Sequence, residues 1–407
     1  MSSIISSKKY KIALFQVGLE DSCDSFDQTM NLLSKASLNF IKYNKKIDMS
    51  HFNPEQNCFY GNFNGYYTKS TIATIDFKTL IANIVSYAKE NEGKTIMVGT
   101  NLNRGFNTNH NLDSIENQKI KLIYIIDEIK KYSNVELYLV GHSQGGLVNL
   151  ETGIERNTKI NKIVSISTPY APVYLGERLI FLDFFFKLGG ETAYSLFCSS
   201  TENISAYKAS VEKLCSSSYF SDLKSRWNNL TIRPQLTVIT GTAGHLYHVI
   251  PATGSGATYS PSVITKYSFD GLVKFSEQAD IQNANFIHLG DHNLPCYSER
   301  TFAQSCCYCQ NGIFLTCKKS CTASSISFSG TTIDVLFNLI DNAINGKDIR
   351  KFSNYKVVLA INAGLKQRAD LVPEGYSEYY NIYSNEYNHK FIRYNLETIS
   401  HLLVLLN

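Results

Sequence analysis

The sequence predicts an α/β fold, a mostly parallel central sheet with helices on both faces. Three observations point there. Apolar runs of strand length alternate with helical patterns from Lys9 onward. One serine, Ser143, stands between glycines where a strand passes directly into a helix. The chain of 407 residues, 43% apolar and 18% charged, is long and apolar enough for a large buried core.

The elements follow in order. Lys11–Val17 (KIALFQV) is continuously apolar, as expected for a buried strand, and it stops at Gly18. Ser25–Tyr43 reads as a helix, and Lys94–Gly99 (KTIMVG) as the next strand. A polar loop with Arg104 and Gly105 follows. In Glu116–Tyr132 the isoleucines Ile120, Ile123, Ile126 and Ile129 recur at helical spacing, and Asp113 or Ser114 is placed to cap the first turn. Val135–Val140 (VELYLV) is a third strand, the segment from Lys159 to Ser167 a fourth, and Gln235–Gly241 (QLTVITG) a fifth. Between the fourth and fifth, about 171–233, no strand signal occurs, so the segment reads as an insertion. A second insertion, about 296–325, is rich in cysteine. Residues 1–350 then form one domain, and 351–407, rich in Tyr and Asn, a C-terminal extension packed on it.

Composition excludes several classes. A net charge of +4 without a dense Lys/Arg block argues against nucleic acid as a partner. The most hydrophobic run, Arg178–Leu188, is too short for a membrane span and carries three charges. No H-E-x-x-H, EF-hand or phosphate-loop pattern occurs, so neither a metal nor a cofactor is expected at the site. Six of the ten cysteines crowd between Cys296 and Cys321; disulfides are the first reading and a structural zinc site the competing one. That cysteine content favours a secreted or lumenal setting, whereas Met1–Tyr10 lacks a signal-peptide core and leaves a cytoplasmic one open.

The chemistry centres on Gly141-His142-Ser143-Gln144-Gly145. A strand runs into it, and a helix with Leu147, Leu150 and Ile154 leaves it. Such a sharp turn brings backbones close together, so Gly141 and Gly145 flank the serine. It lifts the hydroxyl above the sheet edge at a helix N-terminus, where the dipole favours developing negative charge. A serine hydroxyl is a weak nucleophile and needs a base that is itself oriented by an acid.

These residues resemble the α/β-hydrolase superfamily, which is laid over about the first 350 residues, with the closest look to lipases and the lipase-like inositol-deacylase group. The resemblance implies a chain order of Ser, acid, His. Phe15-Gln16-Val17-Gly18-Leu19 is similar to the oxyanion loop of that group, with Val17-Gly18 where His-Gly is usual; the implied oxyanion donors are the N–H groups of Leu19 and Gln144. Phe269-Asp270-Gly271-Leu272-Val273 resembles the acid loop, which makes Asp270 the acid. For the base, His292 is favoured as a loop residue beyond a short β run; His401 is the alternative and His288 the third choice. Thr332–Gly346 resembles the last helix of the family. The insertion near Phe181–Phe186 implies an apolar lid and contact with a lipid surface, and Cys198 and Cys215 are placed to staple it. The implied activity is a serine hydrolase cleaving carboxylic esters, acyl lipids first among substrates. A thioesterase, acyltransferase or peptidase on the same scaffold, or an inactive binding module, stays as the alternative.

Overall fold

A computed structural model describes residues 9–19, 24–63, 66–103, 113–173, 209–210, 212–242, 244–251, 258–259, 261–270, 273–290, 308–310, 313–315, 326–327, 357–360, 377–382, 387, 389 and 391–407. Its frame is an eight-stranded sheet of β1 (Tyr10–Gln16), β2 (Phe40–Lys42), β3 (Ile47–Asp48), β4 (Thr95–Asn101), β5 (Val135–His142), β6 (Lys162–Ile166), β7 (Gln235–Thr242) and a later edge strand, Asn285–Gly290. The spatial order is Asn285–Gly290, then β7, β6, β5, β1, β4 and β2, with β3 also on β4. Every pairing in it is parallel.

A parallel sheet buried on both faces needs apolar residues at successive positions, and the strands supply them. Ile12 and Leu14 of β1 face one core, whereas Ala13 and Phe15 face the other. Leu137 and Leu139 of β5 divide from Tyr138 and Val140 in the same way. The first core is covered by α2 (Thr71–Glu90), α3 (Ile115–Ile129), α4 (Gln144–Glu155) and α5 (Ser217–Asn228). The second is covered by α1 (Asp27–Ala36) and, from the far end of the chain, by a helix at Leu396–Leu405. Ser114 caps α3 by accepting the Asn117 N–H at 3.2 Å, one of the two caps the sequence allowed.

Two sequence expectations change. The helix expected over Ser25–Tyr43 ends at Ala36, and Phe40–Lys42 is a strand on β4. The reason is local. Ser37 is extended at φ −153°, its hydroxyl accepts the Asn39 N–H at 3.2 Å, and the Ser34 hydroxyl accepts the Lys42 N–H at 3.2 Å. Serine side chains that satisfy nearby amides compete with helix continuation. Within the range read as an insertion, α5 is a core helix, with Phe220, Leu223 and Trp227 buried against α4 and the sheet. Phe181–Phe186, Cys198, the cluster Cys296–Cys321 apart from Cys309, and Thr332–Gly346 lie outside the described residues. No disulfide occurs among the described residues, where Cys58 is a buried free thiol, and there no helix is long and apolar enough to cross a membrane.

A second, antiparallel sheet grows from the end of β7. Its strands are β8 (Gly244–Pro251), β9 (Pro261–Phe269), β11 (Val357–Ala360) and β12 (Ser377–Ile382), paired in the order β9, β8, β12, β11; the number β10 belongs to the edge strand Asn285–Gly290 of the parallel sheet. Gly244 stands opposite Phe269 on one side and Ile382 on the other. Both flanking strands therefore leave the sheet at the level where β7 enters it. After β9 comes a single-turn helix, α6 (Phe275–Gln278); the chain after β12 passes His389, a 3₁₀ turn at Phe391–Tyr394 and α7 (Leu396–Leu405). The α7 helix is fastened to the main sheet by Thr95 Oγ1 donating to the Leu406 carbonyl at 2.7 Å and by Lys162 donating to that of Leu405.

Candidate active site

Ser143 follows β5 directly and precedes α4, with φ 54° and ψ −126°. Such a backbone costs about 1–3 kcal/mol at a non-glycine residue. The surroundings hold it there. The Ser143 N–H donates to the Ile166 carbonyl and the Gly146 N–H to the Ser143 carbonyl, each at 3.0 Å, contributing about 1 kcal/mol apiece. The glycines leave no room for alternatives. A Cβ on Gly145 would lie 2.5 Å from the Gln16 carbonyl oxygen, and one on Gly146 would overlap the Thr168 hydroxyl. The G-x-S-x-G spacing is thus set by β1 and the β6 exit pressing on the first turn of α4.

His389 sits at Ser143. Its Nε2 is 2.8 Å from Ser143 Oγ, and its Nδ1 is 2.7 Å from Asp270 Oδ2. The main chains are tied as well, since the His389 N–H donates to the Asp270 carbonyl at 2.7 Å. Asp270 is fully buried. Its other oxygen, Oδ1, accepts the Val273 N–H at 2.7 Å, and its own N–H donates to the Val273 carbonyl at 3.1 Å. Buried Gln278 joins this loop to the sheet. Its Oε1 accepts the Gly241 N–H at 2.9 Å, while its Nε2 donates to the carbonyls of Gly241 at 3.1 Å and Val273 at 3.0 Å. A buried carboxylate needs such partners, because an unpaired one is costly to desolvate.

The histidine beside Ser143 is not one of those expected from the sequence. His292 lies outside the described residues. His401 is on α7, whose last turn meets Thr95 and Lys162 where β4 and β6 begin, whereas Ser143 follows the end of β5. His288 stays in its strand, 3.0 Å from Thr240 Oγ1 and edge-on to Phe275. His389 stands in a tail of Tyr and Asn with no apolar periodicity, where the order Ser, Asp, His is the one sequence signal that points to it.

Around the serine, Gly18 brings the β1 exit against the elbow, and a Cβ there would lie 2.8 Å from Ser143 Cβ. Leu19 follows, half-buried. Gln144 is the first residue of α4, where N–H groups have no acceptor within the helix. Its side chain runs away from solvent and donates to Ser210 Oγ at 2.7 Å, which in turn donates to the Asp113 carbonyl at 3.0 Å. Asp113 and Lys121 form a wholly buried ion pair at 2.7 Å, and Lys121 also donates to the carbonyls of Leu102 and Asn103 at 2.9 and 2.6 Å. This network fixes the β4 exit beside the elbow. Among the described residues no three His, Cys, Asp or Glu side chains gather as metal ligands.

A parallel sheet that ends in such an elbow, with Ser, Asp and His in that order along the chain, is the α/β-hydrolase architecture. No protein-family model matches the sequence, and no curated protein does. Among solved structures, the chain is similar to the mature lipase BlEst2 of Bacillus licheniformis at 13% identity, covering 70% of this chain and 86% of that one with a TM-score of 0.34. It is similar to a gene product of Listeria innocua at 13% identity, covering 69% and 83%, with a TM-score of 0.34. A lipase-esterase related protein from Clostridium acetobutylicum aligns at 11% identity, over 70% and 87%, with a TM-score of 0.29. The fold assignment rests on the strand order and the elbow.

Proposed function

We propose that the protein is a serine hydrolase of carboxylic esters. The reading is carried by one observation, the hydrogen-bonded chain from Ser143 through His389 to Asp270 at 2.8 and 2.7 Å. His389 Nε2 takes the hydroxyl proton as Ser143 Oγ bonds to the ester carbonyl carbon. Asp270 accepts a hydrogen bond from Nδ1–H, which leaves Nε2 free to act as base and stabilises the imidazolium that forms. The tetrahedral oxyanion is held by the N–H groups of Leu19 and Gln144 at the start of α4. Collapse breaks the ester bond, the leaving alcohol takes the proton from His389, and water repeats the sequence on the acyl-enzyme.

Acyl lipids are the proposed substrate class, on the strength of the aromatic run Phe181–Phe186 in the segment that the sequence resemblance equates with a lid. Hydrolysis of p-nitrophenyl esters from acetate to palmitate by wild type and by Ser143→Ala, side by side, tests both levels. Turnover by wild type alone, rising with acyl length, is expected. Equal turnover by Ser143→Ala overturns the serine mechanism, and preference for acetate overturns the lipid reading.

A further inference from the structure

Resting on the ester-hydrolase reading, we propose that His142 is a positioning residue that holds the main chain of His389 against the nucleophile elbow. His142 is the last residue of β5, nearly fully buried, and adjacent to Ser143 in the chain. Its Nε2 meets the carbonyl oxygen of His389. A carbonyl only accepts, so Nε2 carries the proton and donates it. The two imidazole rings also pack together, with centroids 4.7 Å apart and planes tilted by 50°.

The consequence is geometric. One residue, His389, is gripped by two consecutive residues: its ring by Ser143 and its carbonyl by His142. Asp270 also holds His389, at ring Nδ1 and at the main-chain N–H, but Asp270 stands on a different segment from the nucleophile. The His142 contact is the tie between the main chain of His389 and β5 itself, so it couples the distance between base and nucleophile to the end of that strand. Gly18 makes the arrangement possible, because a Cβ at that position would lie 3.3 Å from His142 Nδ1 as well as crowding Ser143. The contact spans 247 residues of sequence, so it is tertiary and not a by-product of the local turn. Proton transfer is steeply sensitive to such placement, a shift of about 1 Å costing on the order of 10²-fold in rate.

The test compares His142→Leu, which keeps bulk and loses the donor, with His142→Gln, whose amide N–H reaches about as far as Nε2. Ester hydrolysis and thermal midpoint are measured for both, with wild type, Ser143→Ala and His389→Ala in the same series. In His142→Leu, kcat is expected to fall about ten- to a hundredfold with KM nearly unchanged. Most of the loss should return in His142→Gln while both variants melt close to wild type. Wild-type kcat in His142→Leu overturns the proposal. So does a His142→Gln that folds and is as slow as His142→Leu. If wild type shows no Ser143-dependent turnover, the underlying reading fails instead, and the series identifies that separately.

Discussion

The two halves of the candidate site are built in opposite ways. The nucleophile half is local. Gly141 through Gly146 lie within one strand–turn–helix, the β5–α4 junction, against which the exits of β1 and β6 press. The acid–base half is assembled over distance. Asp270 and His389 are 119 residues apart, and His389 and Ser143 are 246 apart. What brings them together is the antiparallel sheet, in which β9 and β12 flank β8 and both exit beside Gly244. A local motif can be read from neighbouring residues. A register between strands far apart in sequence cannot.

The largest expected effects separate chemistry from scaffold. Ser143→Ala and His389→Ala should each lower kcat by about 10⁴-fold or more, and the double variant no further, as for residues acting as a unit. Steady-state ester hydrolysis checks this, and additive losses would break the link between the halves. His401→Ala serves as the control and should retain wild-type rates. Next comes Asp270→Asn, expected to cost about 10⁴-fold by favouring the wrong imidazole tautomer. A pH-rate profile measured alongside kcat would expose any replacement of the carboxylate by another group.

A stability effect should follow for the distant half. Leu402 is fully buried between α7 and the sheet, so Leu402→Ala should destabilise by about 2–5 kcal/mol, read by denaturant unfolding. A loss below about 1 kcal/mol would mean that α7 is not integral to the second core. The smallest expected effect is at Gln278, whose amide joins the Asp270 loop to β7. Gln278→Leu leaves the Gly241 N–H unpaired at a cost of about 1–3 kcal/mol. It should reduce kcat more than it raises KM; the reverse split would assign Gln278 to substrate binding.

How much of this the sequence disclosed follows the same division. Continuous apolar runs marked β1, β4, β5 and β7, and the glycine-framed Ser143 marked the elbow, because each signal lies within one element. Asp270 stands out in the sequence by its loop residues and by its place after β7. His389 was not, since its neighbours Tyr387 and Asn388 carry no periodicity and its partners are supplied by other segments. The second core shows the same limit. Leu396–Leu405 is plainly apolar in sequence, yet nothing in it states that it closes the face covered by α1. Ser25–Tyr43 failed for a nearer reason, the serine hydroxyls that draw the chain out of helix.

Because β9 and β12 are both clamped on β8, the reach from Asp270 to His389 is independent of how much polypeptide lies between Gly290 and Val357, where β11 joins the same sheet. Closing a longer loop costs only about 0.6 kcal/mol per doubling of its length. That interval is therefore a graft point. Segments of other lengths and surface chemistry can be exchanged there while the spacing of Ser143, His389 and Asp270 is inherited unchanged from the sheet.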